Sequence, residues 1–266
     1  MSERVTVSIS DHVATVMLNR AEKRNAVDTA MFESLFGTAE SLASDRSVRA
    51  VVLHGDGPDF CAGVDISAFA GEGIGASIGE RMMPRTESGA NFFQSAATCW
   101  RDLPVPVIAA LQGSAFGAGF QIAMGADIRY AAADTRMSIM EIKWGIIPDM
   151  GITATLPGIL PEDKARELAY TGRIVAADEA RALNLVTDVC DDPLAKALAI
   201  AGEIASKSPD AIRSIKKLIG DSWRGNVAAA LALEAKLQMA VMAGDNQKEA
   251  AAANIEKRPP VFKDLF

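Results

Sequence analysis

An α/β fold of mostly parallel strands, followed by a helical C-terminal region, is predicted by three features of the chain. Short apolar runs alternate with helical patterns up to about residue 140. Two glycine-bracketed loops each follow such a run. Phe60-Cys61-Ala62-Gly63-Val64-Asp65-Ile66 comes after the run at 51–53, and Gly113-Ser114-Ala115-Phe116-Gly117-Ala118-Gly119-Phe120-Gln121 after the run at 105–111. Beyond Pro161 the texture turns helical. Alternating strands and helices bury both faces of a parallel sheet, whereas a run of helices packs as a separate layer.

The elements follow in order. Residues 4–9 and 13–18 alternate or run apolar around Asp11-His12 and read as a hairpin or two adjacent strands. A polar loop, Asn19 to Ala26, leads to Asp28, which caps a helix whose Met31, Leu35, Ala39 and Leu42 recur at helical spacing. Residues 48–54 read as a strand. Residues 67–87 are rich in glycine and polar residues without a period and read as an irregular segment of the lid type. A helix over 89–102 stops at Pro104 and Pro106. A strand over 107–111, a short helix over 117–125 and a strand over 126–132 complete the alternation. Helices are predicted over 162–170, 178–183, 194–206, 209–220, 226–242 and 245–256. The division expected is a core over 1–200 and a helical region over 201–266 that packs on the core and on neighbouring subunits.

Composition bounds the function. In 266 residues, 49% are apolar and 23% charged, an ordinary globular balance. The net charge of −7 argues against nucleic-acid binding, which needs a basic surface. Cys61, Cys99 and Cys190 form no CxxC pair, which suits a reducing compartment and a cytoplasmic location. With two histidines, His12 and His54, and no HExxH, no metal site is expected. Met1-Ser2-Glu3-Arg4 runs into a strand pattern without a leader, and no apolar stretch approaches the ~18 residues of a membrane span. Cys61 and His54 read as structural residues.

The glycine loops carry the chemistry. Glycine allows a ligand to approach the backbone, and the first turn of a helix has N–H groups without internal partners. Two such loops, converging, offer two N–H donors to one developing oxyanion, a device for stabilising an enolate or a tetrahedral intermediate.

Seven ordered blocks then resemble the crotonase superfamily, which includes enoyl-CoA hydratases and isomerases. They are Leu18 to Ala26, Val51 to Gly57, Phe60 to Asp65, Pro106 to Ala110 with Gly113 to Gln121, Ala126 to Arg129, Glu141 to Gly151, and Glu256 to Lys263. The resemblance implies a spiral of ββα units with a C-terminal trimerisation region, assembled as a homotrimer or hexamer. It implies an acyl-CoA thioester as substrate, with coenzyme A entering only as part of that substrate and no other cofactor. It places the oxyanion donors at the backbone N–H groups of Val64 and Ala118. It assigns CoA contacts to Lys23, Arg24, Ala26, Ala62, Asp65 and Ile66, with Phe262 and Lys263 reaching CoA from a neighbouring subunit.

The chain departs from a hydratase at one position. The family's hydratases carry two glutamates twenty positions apart, and here those positions are Gln121 and Glu141. An amide neither gains nor loses a proton at neutral pH, so Gln121 can only orient. Glu141, among Met140, Ile142, Trp144, Ile146 and Ile147, is expected to be buried by these neighbours and poised as a base. Asp149 matches an aspartate of the family's dienoyl-CoA isomerases, and its alternative role is a cap for a helix beginning near Gly151. Glu141, Asp149 and Gln121 form the candidate catalytic set. Double-bond isomerisation is the preferred chemistry. Hydration of a 2-enoyl-CoA, or a non-catalytic acyl-CoA-binding oligomer, is the alternative. The acyl pocket is expected from the irregular segment with Met82, Met83, Phe92 and Phe93.

Overall fold

The computed structural model describes residues 3–65, 78–223 and 225–264. Ile66 and residues 67–77 of the expected lid lie outside the described residues. The elements are β1 (Val5–Ser10), β2 (Val13–Leu18), α1 (Thr29–Ser44), β3 (Ala50–Gly55), α2 (Ile78–Arg81), α3 (Phe92–Asp102) and β4 (Val107–Leu111). Next come β5 (Ser114–Phe116), α4 (Ala118–Met124), β6 (Ile128–Ala131), β7 (Arg136–Ser138), α5 (Ile152–Thr155) and α6 (Glu162–Thr171). The chain continues with β8 (Val175–Ala176), α7 (Ala177–Ala182), β9 (Asp188–Val189), α8 (Pro193–Ala205), α9 (Pro209–Ser222), α10 (Val227–Met242) and α11 (Asp245–Glu256).

Among the described residues, one sheet has the order β1-β2-β3-β4-β6-β9. Its first pair is antiparallel, with Val5 opposite Leu18, and the rest are parallel. A second sheet, β5-β7-β8, lies beyond the ends of the first and was not legible in the sequence. Its strands are two or three residues long, too short for a period to appear.

The period-two alternation of the central strands divides the interior. Val51 and Leu53 of β3, with Val107, Ala109 and Leu111 of β4, face a large core shared with α1 and α3. Ala50 and Val52, with Ile108 and Ala110, face the opposite side, where Ala197, Ala201 and Ala205 of α8 close over them. Small side chains at four-residue spacing bring α8 close to the sheet. Helix α8 therefore runs across the expected division at residue 200 and packs on the body.

Helix α1 begins where the sequence places it: the Asp28 carboxylate accepts from Met31 N–H at 2.8 Å. Helix α3 starts with a capping box in which Asn91 and Gln94 satisfy each other's backbone N–H groups. Phe92 and Phe93 are buried and pack with Phe32 at centroid distances of 5.2–5.4 Å. They are core side chains, whereas Met82 and Met83 are exposed.

Helices α9 to α11 hold to the body by few groups. The buried Lys216 ammonium donates to Trp100 O, Val105 O and the Asp127 carboxylate at 2.8–3.1 Å. Helix α10 buries none of its residues, and Val227, Leu231, Met239 and Met242 are exposed. Among the described residues no single helix is long and apolar enough to cross a membrane.

One carboxylate fastens three loops at the C-terminal ends of β3 and β4. Asp59 Oδ2 accepts from Arg24 Nε at 2.7 Å, and Oδ1 accepts from Arg24 Nη2 at 2.9 Å and from Ser114 N–H at 2.8 Å. The hydrogen-bonded Arg24 guanidinium holds the Asp59 carboxyl at about 2, against an ordinary value of 3.8. Its contribution to stability is thus complete above 3.8 and is lost as pH falls through about 2. Asp59→Ala leaves Ser114 N–H without its acceptor and removes both carboxylate contacts of Arg24, and is expected to cost about 1–3 kcal/mol at neutral pH. In urea titrations at several pH values, the gap between variant and parent should narrow from pH ~4 toward pH ~2. On the other face of the sheet, Ala201→Leu overfills the α8 contact. The expected loss of about 1–3 kcal/mol appears as a lower urea midpoint with an unchanged slope.

Candidate active site

The two glycine loops are stitched side by side. Cys61 N–H donates to Ser114 O at 2.8 Å, and Phe116 N–H donates to Cys61 O at 3.0 Å. This parallel bridge between Cys61 and Ala115 sets the register of the loops. Two glycines permit the approach. A Cβ on Gly119 would collide with the Cys61 carbonyl oxygen, and one on Gly63 would lie 3.1 Å from Phe116 O. Gly63 also needs the left-handed region, at φ +104°.

Val64 lies on the free side of its own bridge. Its neighbours make the pairing to Val27: Val27 N–H donates to Gly63 O at 2.8 Å and Asp65 N–H to Val27 O at 3.0 Å. In an extended segment alternate residues point to opposite sides, so the Val64 N–H is directed away from Val27. Across the stitched loops, Gly117 caps α4 at φ +51°, with its N–H given to Ser138 O at 2.9 Å. Ala118 is the first residue of that helix, and its N–H has no acceptor within the helix.

Glu141 opens a 3₁₀ turn, Glu141–Trp144, and its carboxylate lies over Gly117. A Cβ on Gly117 would sit 3.6 Å from Glu141 Oε1, an ordinary contact distance, which places the carboxylate directly beside the start of α4. Glu141 is buried, at 7% exposure. Of the neighbours expected to bury it, Met140 is half-buried and lies beside it at Gly117, and the other four do not enclose it. Ile142, Trp144, Ile146 and Ile147 are 48–74% exposed, because the turn points them outward while Glu141 points inward onto α4.

Gln121 of α4 joins the set from the side. Its Nε2 donates to Glu141 Oε1 at 2.6 Å, and its Oε1 accepts from Met150 N–H at 2.9 Å. Glu141 Oε2 is buried without a hydrogen-bond partner among the described residues. Burial raises the Glu141 carboxyl above its ordinary range, the Asp149 charge adds to this, and the Gln121 hydrogen bond opposes it. Burial also raises the half-buried Asp149. Helix α5 is capped by Gly151 with no side-chain cap, so Asp149 is not the helix cap.

The expected CoA contacts divide into two groups. Arg24, Ala62 and Asp65 gather beside the first glycine loop with their polar groups engaged. Arg24 adds a 2.5 Å bond to Ser114 Oγ while staying half exposed, and Ala62 N–H donates to Arg24 O at 2.9 Å. Asp65 pairs with Arg20 at 2.8 Å. Lys23 is exposed in the same loop. Ala26 gives its N–H to Lys23 O at 3.0 Å and its carbonyl accepts from Arg20 Nη1 at 2.8 Å. Phe262 and Lys263 stand elsewhere, near the start of β3. Phe262 O accepts from Arg49 Nη2 at 3.2 Å, and the Lys263 backbone is held on both sides by the Asn246 amide. Within one chain they do not join the loops.

Asp59, Arg20 and the Met150 N–H were not singled out from sequence. Asp59 stands directly before the first glycine block, which was an available signal. A backbone amide such as Met150 N–H leaves no mark in residue type. Burial pushes the Cys61 thiol up to about 12, which leaves it protonated and inert at neutral pH. Among the described residues no three His, Cys, Asp or Glu side chains are grouped as a metal site requires.

This arrangement has relatives. Residues 8–265 match the family model described as Enoyl-CoA hydratase/isomerase. The chain is 31% identical over 268 residues to the Bacillus subtilis (strain 168) protein named "Probable enoyl-CoA hydratase", covering 97% of this chain and 98% of that one. It is 32% identical over 281 residues to the Pongo abelii protein named "Delta(3,5)-Delta(2,4)-dienoyl-CoA isomerase, mitochondrial", covering 99% and 83%. The crystal structure of enoyl-CoA hydratase from Bacillus anthracis superposes with a TM-score of 0.88 at 30% identity, covering 98% of this chain and 99% of that one. Matched in sequence and in architecture over nearly its whole length, the chain belongs to the enoyl-CoA hydratase/isomerase family, with the crotonase fold.

Proposed function

We propose that this protein shifts a double bond of an enoyl-CoA or dienoyl-CoA through an enolate held by the Val64 and Ala118 N–H groups. One observation carries the reading: a single buried carboxylate, Glu141, has one oxygen engaged by Gln121 and the other unpartnered beside the start of α4. Glu141 Oε2 removes a proton from the carbon next to the thioester carbonyl. The electron pair of that C–H bond moves into a C–C double bond as the carbonyl oxygen becomes the oxyanion. Each backbone donor aimed at such an oxygen is typically worth about 2.7–4 kcal/mol. Return of a proton further along the acyl chain restores the carbonyl and leaves the double bond conjugated with it. Asp149, raised by burial and within electrostatic reach of Glu141, supplies that second proton in the dienoyl case.

Hydration is the second reading, and the names of the hydratase relatives favour it. It needs an acid and a base on either side of the added water. Gln121 is excluded from both roles by its chemistry and by its two hydrogen bonds, so only Glu141 and Asp149 remain. On the reading preferred here, Lys23, Arg24, Ala26, Ala62, Asp65 and Ile66 bind CoA. Phe262 and Lys263 reach the CoA of an adjoining subunit in a homotrimer or hexamer. The unburied apolar surface of α10 supports such an assembly.

Incubation with 2-enoyl, 3-enoyl and 3,5-dienoyl thioesters separates the readings. A shifted double bond leaves the mass unchanged and added water raises it. Isomerised 3-enoyl or dienoyl product is expected, and a hydrated product dominating from the 2-enoyl thioester would overturn the preference. Glu141→Gln should lower turnover about 10²–10⁴-fold while thioester binding by calorimetry persists. The acid limb of the parent's rate profile should lie above the ordinary glutamate value of 4.5. A carboxyl raised on folding stabilises fully below its unfolded value, and that stabilisation is lost as pH rises through the folded one. At neutral pH the Gln variant is therefore expected to melt no lower than the parent.

A further inference from the structure

We infer that Gln121 is the positioning residue of this site: its amide selects Glu141 Oε2 as the proton-accepting atom and ties that carboxylate to the Asp149–Met150 peptide. The inference rests on the reading of Glu141 as the base and goes beyond it. Gln121 is buried at 1% exposure in the first turn of α4, three residues after Ala118. Its head group links the start and the end of the segment 141–150. One end donates to Glu141 Oε1 at 2.6 Å and the other accepts from Met150 N–H at 2.9 Å.

A neutral amide serves both partners at once, without a proton of its own to lose. A carboxylate at 121 accepts from Met150 N–H but presents a lone pair to Glu141 Oε1. A thioether or aliphatic chain leaves both partners bare in a buried place. The polarity of the amide is therefore dictated: with Met150 N–H as a fixed donor, Gln121 Oε1 must face it, and Nε2 must face Glu141. This leaves Oε2 as the carboxylate oxygen without a partner. It also places the backbone of residue 150, and with it Asp149, at a set distance from Glu141. The departure at 121 from the two-glutamate pattern thus removes a proton carrier and gains an orienting group.

The experiment compares the parent with Gln121→Met and Gln121→Glu. Loss of the Nε2 donor disfavours the charged form of Glu141, and a second carboxylate beside Oε1 disfavours it further. The carboxyl ¹³C signal of Glu141, assigned with Glu141→Gln, should titrate at progressively higher pH in the order parent, Met variant, Glu variant. With the enoyl thioester that the parent turns over, Gln121→Met should lower kcat about 10–100-fold with little change in KM, as misplaced catalytic groups do. Its acid limb should move with the titration. Coincident midpoints in all three proteins, or an unchanged kcat in the Met variant, would overturn the inference. A purely structural residue would lower the melting temperature and leave the midpoint in place. The titration requires no turnover, so its outcome stands even where the isomerase reading fails.

Discussion

The close approach of Gly119 to the Cys61 carbonyl is the constraint on which the rest of the site depends. No side chain fits between the two loops, so the backbone of α4 comes to lie against the loop after β3. The Cys61–Ala115 bridge then sets their register, and Gly63 turns the chain so that Val64 faces away from Val27. A backbone donor is only as well aimed as the peptide that carries it. Here both candidate donors belong to segments hydrogen-bonded to each other, a route to preorganisation without side-chain entropy.

Around that contact, charge is handled in two ways. Where a carboxylate holds loops together it is paired and strongly hydrogen-bonded, as Asp59 is with Arg24 and Asp65 with Arg20. Where one is proposed to take part in chemistry it is buried with less compensation. Glu141 has a single amide donor and an open oxygen, and Asp149 lies near it. Burial of an incompletely satisfied carboxylate costs stability, and the parallel sheet, packed on both faces, can absorb that cost.

Much of the architecture was legible because its signals are local. The strand at Val107–Leu111 and the helix at Asp245–Glu256 coincide with the spans read from the chain, and Asp28 caps its helix as its residue type suggests. The second sheet was hidden because strands of two or three residues are too short for a period. An aromatic pair such as Phe92 and Phe93 reads the same in a core as in a binding wall, and its packing against Phe32 is known only from the fold.

Glu141 shows where the limit falls. By residue type and by its distance of twenty from Gln121, the sequence alone determined which carboxylate was present and which was absent, since protonation chemistry belongs to the residue. That it is buried, on which side, and by what, was decided by tertiary structure. Most of the apolar residues beside it in the chain turn out to solvent, and its enclosure comes from a helix start, an amide and Met140. The same division covers Asp149, whose residue type suits a helix cap although Gly151 holds that place in the fold. Composition and spacing are properties of a line, whereas desolvation and hydrogen-bond polarity arise between segments that the fold brings together.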